Sequence, residues 1–162
     1  MRTSRASGFS LVELVTVLVL VSLVCALAWP AMDRMVARAR AASALNRFTG
    51  DLYYARMLAV KSGQTVVVRF DPSPRCPAAA GQMLSAAGYR IVVKTQPERE
   101  AKRTVLGGEG PPLCLQSNGG DSIAFNARGL LHGFMNRTVH ARYRQVHDSL
   151  TISVAGRVFR RF

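Results

Sequence analysis

One carboxylate stands alone in an otherwise apolar run. Glu13 is the only charged residue between Phe9 and Trp29, a stretch of 21 residues (29 − 9 + 1). As a helix at about 1.5 Å per residue the stretch is roughly 30 Å long, the thickness of a bilayer's hydrocarbon core. A carboxylate at the bilayer centre costs about 2.5–3.5 kcal/mol on insertion scales, so the acid needs a reason to be there. Arg2, Arg5 and then Gly8-Phe9 precede the run, and Trp29-Pro30 closes it.

Other residue types that do chemistry are scattered. His132, His140 and His147 are spaced by eight and seven, too far apart to be ligands on one helix face, so no metal site is expected. Asp51, Asp71, Asp121 and Asp148 are read as turn residues serving the backbone. Gly107-Gly108-Glu109-Gly110-Pro111-Pro112 is read as a structural turn, because it lacks the lysine and following helix of a phosphate loop. No serine or cysteine has a convincing base partner. The chain is therefore expected to be neither an enzyme nor a cofactor carrier.

The charge is a different matter. The chain carries a net +13. Removing the residues up to Gly8 takes away Arg2 and Arg5 and leaves 13 − 2 = +11. Such a surface suits a polyanion: nucleic acid, anionic lipid or an acidic protein face. The plain alternative is a solvated cationic surface. At the C-terminus, Arg157-Val158-Phe159-Arg160-Arg161-Phe162 reads as a strand. Arg157, Phe159 and Arg161 would then share one face, with Val158, Arg160 and Phe162 on the other. Arg142 and Arg144 would share a face of the strand region before it. Guanidinium groups interleaved with aromatic rings can grip phosphates and stack on bases, which makes these residues a DNA-binding candidate. A cationic edge strand that discourages edge pairing is the bland reading.

The elements that position these groups fall into two kinds. A helix is predicted from Phe9 to about Ser62, on the order of 80 Å long. Its apolar stripe is read through Met32, Met35, Val36, Ala39, Ala42, Leu45, Leu52, Ala55 and Ala59, with Arg34, Arg38, Arg40, Arg47 and Arg56 largely off it. Pro30 should kink this helix, and Lys61-Ser62-Gly63 should end it. Beyond it the chain reads as β: 65–70, 89–94, 103–106, 122–125, 139–143 and 150–154, with Leu150, Ile152 and Val154 inward. Asp71-Pro72-Ser73-Pro74 should break the first strand, and Ala78 to Ala87 is read as a small-residue loop.

The N-terminal residues resemble the prepilin processing motif of type IV pilins and type II secretion pseudopilins. In that family a peptidase cuts after the glycine and methylates the new terminal phenylalanine. Gly8 and Phe9 match those positions, and Glu13 and Pro30 match the family's glutamate (13 − 8 = 5) and helix-kinking proline (30 − 8 = 22). Three further stretches resemble the GspH/FimT group. These are Ala55-Arg56 with Ala59 and Gly63, Phe125 to Gly129, and Gly156-Arg157. The resemblance implies an α+β type IV pilin-like fold, a long helix packed on a small antiparallel two-sheet β domain. It divides the chain into a leader (1–8), a transmembrane or filament-core helix (9–29), an amphipathic helix (30–63) and a periplasmic β domain (64–162). It implies that the Phe9 amine pairs with a neighbour's Glu13 in a filament, and that the partners are other pilins or pseudopilins, the prepilin peptidase and the inner membrane. Some FimT-like members bind DNA through arginines after the C-terminal glycine, although Val158-Phe159-Arg160-Arg161 departs from a plain "GRxR" pattern.

Two other readings of the N-terminus compete. An ordinary signal peptide would cut after Ala26-Leu27-Ala28, but Glu13 would interrupt it and Pro30 would follow the cut too closely. A simple anchor leaves Glu13 unexplained. Cys25 lies in the apolar run as a small filler. Cys76 and Cys114 lie in the part that would be exported, where disulfides persist, and a bridge between them is expected. That loop is worth on the order of 3–4 kcal/mol in the chain-entropy model.

Overall fold

The computed structural model describes residues 10–76, 84–106, 112–133 and 135–161, with Leu84 and Arg161 described by their backbone alone. Gly8, Phe9 and Phe162 lie outside the described residues. One helix, α1, spans Leu11–Ser62 and contains Pro30. Gly63, at φ 64°, follows its end, as the sequence predicts. An 18-residue window near the N-terminus of α1 has mean hydropathy 2.7 and is long and apolar enough to cross a membrane. Its large side chains, from Leu11 to Trp29, are exposed.

Eight strands follow: β1 (Val66–Pro72), β2 (Leu84–Val93), β3 (Arg99–Val105), β4 (Leu113–Ser117), β5 (Ser122–Phe125), β6 (Arg137–Tyr143), β7 (Val146–Ile152) and β8 (Val158–Arg161). All pairings are antiparallel, in the order β5-β1-β2-β4-β6-β7-β8, with β3 also on β2. In place of the two sheets that the resemblance implies, the strands form one continuous eight-stranded sheet, because β2 pairs with β1 along one edge and with both β3 and β4 along the other. Its first residues pair with β4 (Ala86 with Leu115), and its later ones pair with β3 (Gly88 with Val105, onward to Val93 with Arg99).

The chain forms two compact units, one up to Val36 and one from Ala37 to Phe162. In the second, α1 buries Ala37, Ala41, Ala44, Leu45, Phe48, Leu52, Ala55 and Ala59. The small alanines let the helix backbone approach the sheet, and Phe48 fills the centre. Its ring meets Tyr89 edge-on at 4.9 Å and Phe70 at 5.8 Å. Such aromatic pairs add about 0.5–1.5 kcal/mol beyond the area they bury.

Several expectations are corrected. The buried stripe is offset from the one read in the sequence: Met32, Met35 and Val36 are exposed, and Ala37, Ala41 and Ala44 take their place. Strand β1 continues through Asp71 and Pro72, with an irregular register between them, because β2 still covers its flank. Strand β2 starts at Leu84, inside the stretch read as loop, where Ala86 pairs on both sides with Pro72 and Leu115. Strand β4 was not expected at all. Every residue of it is buried, so it has none of the alternation that marks a half-exposed strand. Strand β7 ends at Ile152, and Val154 is exposed in the turn that follows.

Candidate functional site

The three family-like stretches are far apart in sequence, and the fold brings them to one junction. Arg56, half-buried on α1, donates from Nη1 to the Gly156 carbonyl at 3.5 Å. Gly129 and Gly156 both take positive φ (73° and 72°). A β-carbon on Gly156 would lie 2.9 Å from the Gly129 carbonyl oxygen and 3.4 Å from Arg56 Nε. One on Gly129 would lie 3.0 Å from Val60 Cγ2 and 3.1 Å from Arg56 Nε. The two turns are also laced by the Leu131 N–H, which donates to the Val154 carbonyl at 3.0 Å. Helix end, β5 turn and β7–β8 turn therefore close on one another without room for side chains.

A second junction was missed in the sequence. Asp51 sits in α1 and is buried. Its carboxylate accepts from Tyr89 Oη at 2.8 Å, Lys102 Nζ at 2.6 Å and Thr104 Oγ1 at 3.2 Å. Burial opposes the charge, but the Lys102 and Tyr89 hydrogen bonds, the Lys102 charge and the Thr104 bond outweigh it and hold the carboxyl below its ordinary value. Burial first, then the Asp51 hydrogen bond and charge, push the Tyr89 phenol well above its usual range. The other aspartates also do more than serve turns. Asp71, in β1, pairs with Arg90 at 3.0 Å. Asp148, in β7, pairs with Arg160. Asp121 precedes β5 and accepts the Phe70 N–H on its backbone oxygen at 2.9 Å.

The Cys76–Cys114 bridge is present, with Cα atoms 5.7 Å apart. Cys114 pairs across the sheet with Arg142, which pairs in turn with His147.

The cationic residues differ in how far they are exposed. Arg160 faces inward with Val158, and its guanidinium bonds Asp148 and, at 3.0 Å, Asn46 Oδ1. Arg142 is half-buried on β6, while Arg144 and Arg157 are exposed. Phe159 is exposed on β8, and the backbone register places Arg161 opposite Ser149. Arg144 does not continue the β6 face as expected. It lies in the two-residue turn to β7 with φ 54°, a left-handed conformation. Its guanidinium carbon stands 5.8 Å from the Tyr143 ring centre, and that of Arg40 stands 5.4 Å from the same ring. Arg40 also bonds the Tyr143 hydroxyl. Arg157 precedes β8 and is not part of the strand. Glu13 stands exposed in the first turn of α1. Among the described residues no group of three or more His, Cys, Asp or Glu side chains could hold a metal ion.

Two family models match the chain. The prokaryotic N-terminal methylation motif covers residues 3–29, and the type II transport protein GspH model covers residues 44–156. A search of the curated proteins found no match. Among solved structures, the type IV minor pilin FimU of Pseudomonas aeruginosa is similar in two crystal forms. One has TM-score 0.59 and 20% identity, covering 77% of this chain and 90% of that one. The other has TM-score 0.48 and 19% identity, covering 74% and 91%. At this identity the likeness concerns the fold.

Proposed function

The chain belongs to the GspH family of type II transport proteins and carries the prokaryotic N-terminal methylation motif, and on that premise we propose that it is a minor type IV pilin. The observation that carries the reading is the joining, in one chain, of an apolar helix that opens on Glu13 with a pilin-type helix-and-sheet domain. Prepilin peptidase cuts after Gly8 and leaves a methylated Phe9. The apolar segment then holds the chain in the inner membrane, with residues 64–162 in the periplasm, until it joins other major and minor pilins at the start of a pilus. The test is the mature N-terminus. Mass spectrometry of the protein from its host should find methylated Phe9, and a chain beginning at Trp29 would make it a secreted domain instead.

A second reading has its own support. The matching model is described as a type II transport protein, so the same chain suits a pseudopilin that drives protein export. Deletion discriminates the two: loss of pili marks the first reading, and retention of exoproteins the second.

The exposed domain is assigned DNA binding and uptake. The net charge of +13, the half-buried Arg142 and the exposed Arg144 and Arg157 support it. Arg160 contributes by holding β8 in place. Full-length protein in a neutral detergent should bind an oligonucleotide more weakly as salt rises, with a log–log slope near −3 for three or four duplex phosphate contacts. Absence of binding at low salt would end this assignment.

A further inference from the structure

Strands β6, β7 and β8 turn one face to α1 and the other to solvent. Val139, Ala141, Leu150 and Ile152 are buried on the first face. Arg160 joins them there, bonding Asn46 of α1 and Asp148. Side chains alternate along a strand, so the residues between these stand on the second face. The register lines them up in three rows. Thr138 is opposite Thr151, which is opposite Phe159. His140 is opposite Ser149, and Arg142 is opposite His147. Four steps along β6 separate the first row from the third, about 13 Å at the rise of a strand. Toward β4 the face is closed, because Cys114 and Gln116, the partners of Arg142 and His140, are buried.

Two features of this solvent face point to a ligand. Among the described residues of the three strands it holds an arginine and two imidazoles and no carboxylate, since Asp148 lies on the opposite face against Arg160. Phe159 is 56% exposed in a row whose other members, Thr138 and Thr151, share their hydroxyls at 3.3 Å. Any polyanion suits the cations, but a duplex has no use for the ring, because its bases are enclosed by pairing and stacking. An unpaired base can lie on it. An aromatic ring beside cations that track the backbone is the arrangement that holds single strands without regard to sequence. Resting on the DNA-binding reading above, we propose that the solvent face of β6–β8 is a single-strand platform: Phe159 stacks one base, and Arg142, with the N–H groups of His140 and His147, takes the phosphates that follow. The exposed domain then selects single-stranded nucleic acid over duplex. The two histidines are the residues this adds, and only the β6–β7 register brings them to the site.

Two measurements on the full-length protein in a neutral detergent test this. Fluorescence anisotropy compares a labelled oligothymidylate with a hairpin duplex carrying the same number of phosphates. The single strand should bind more tightly, although the duplex has the higher charge density and would win on charge alone. Phe159→Leu should weaken single-strand binding about tenfold and leave duplex binding unchanged, and Phe159→Trp should restore it. Arg142→Gln should lower the single-strand salt slope by about 0.7, the value of one lost phosphate contact, which a purely structural role would not move. In the second measurement oligothymidylate is titrated while the imidazole NMR signals are followed. His140 and His147 should shift, whereas His132, which stands beside Ala124 at the other end of the sheet, should not. If duplex and single strand bind alike and Phe159→Leu binds single strands as the wild type does, DNA binding stands and the platform falls, whatever that variant does to pilus assembly. Equal shifts at all three histidines would also overturn it. If the wild-type protein binds neither oligonucleotide at low salt, both readings fall.

Discussion

Asp51 is a carboxylate on a helix face that otherwise buries Phe48, Leu52 and Ala55. The hydroxyls of Tyr89 and Thr104, 0% and 1% exposed, have no water to turn to if it is removed. Asp51→Ala should therefore destabilise the domain by about 1–3 kcal/mol, the penalty of leaving buried donors unsatisfied. Lys102 is 40% exposed, and its half of the ion pair adds little because solvent screens it. The sign of the pH dependence follows from the depressed carboxyl. The folded state holds Asp51 ionised more firmly than the unfolded chain does, so the gain is complete above the ordinary value of 3.8. It is lost as pH falls through the lower folded value. Thermal unfolding below about pH 4 should fall more steeply in the wild type than in Asp51→Asn. Parallel curves would show that the network does not depend on the charge. The position was legible in principle. Residue 51 follows Phe48 by three and precedes Ala55 by four, the spacing of a buried face. The usual preference of aspartate for turns obscured it, because nothing local in the sequence announces Tyr89, Lys102 and Thr104 as partners.

At the scale of elements, the junction of α1 with the β5 and β7–β8 turns is a fixed point of the fold. Gly156→Ala should destabilise it by at least about 1–2 kcal/mol, the cost of a left-handed non-glycine residue. The new methyl also meets a backbone carbonyl at 2.9 Å, which cannot swing away as a side chain could. Hydrogen exchange should report faster opening of β8 and of the end of α1 together. Opening confined to the 153–157 turn would show that the junction does not couple the two elements. The motifs carrying these glycines could be read in the sequence, but their meeting could not, since it depends on chain reversals between residues 63 and 156. The same limit explains the strands. Leu150 and Ile152 alternate with less buried neighbours and were placed correctly. Strand β4 is covered on both faces, and the start of β2 is small-residue sequence made into strand by its neighbours. Local pattern identifies half-exposed elements best, and here it missed the centre of the sheet.

For the whole molecule, the deciding question is what one acid does in two environments. In the membrane, Glu13 is a burden of about 2.5–3.5 kcal/mol at the bilayer centre, less near its edge. In the proposed filament, the Phe9 amine of a neighbour meets it in apolar surroundings, where removing one partner of an ion pair costs about 3–5 kcal/mol. Glu13→Ala therefore acts twice in one direction. It makes the free chain more at ease in lipid, and it leaves an amine unpaired in the polymer. The variant should be cut and methylated as the wild type is, because Gly8 and Phe9 are intact. It should then accumulate in the membrane fraction and fall at least about tenfold in sheared filaments, the change expected from even 1.4 kcal/mol. Glu13→Gln should fall similarly, since it keeps the shape and loses the charge. Quantitative blotting of the two fractions, with mass spectrometry of the N-terminus, measures both steps. Normal incorporation of either variant would remove the pairing role and leave Glu13 without a function that its cost in the membrane could explain.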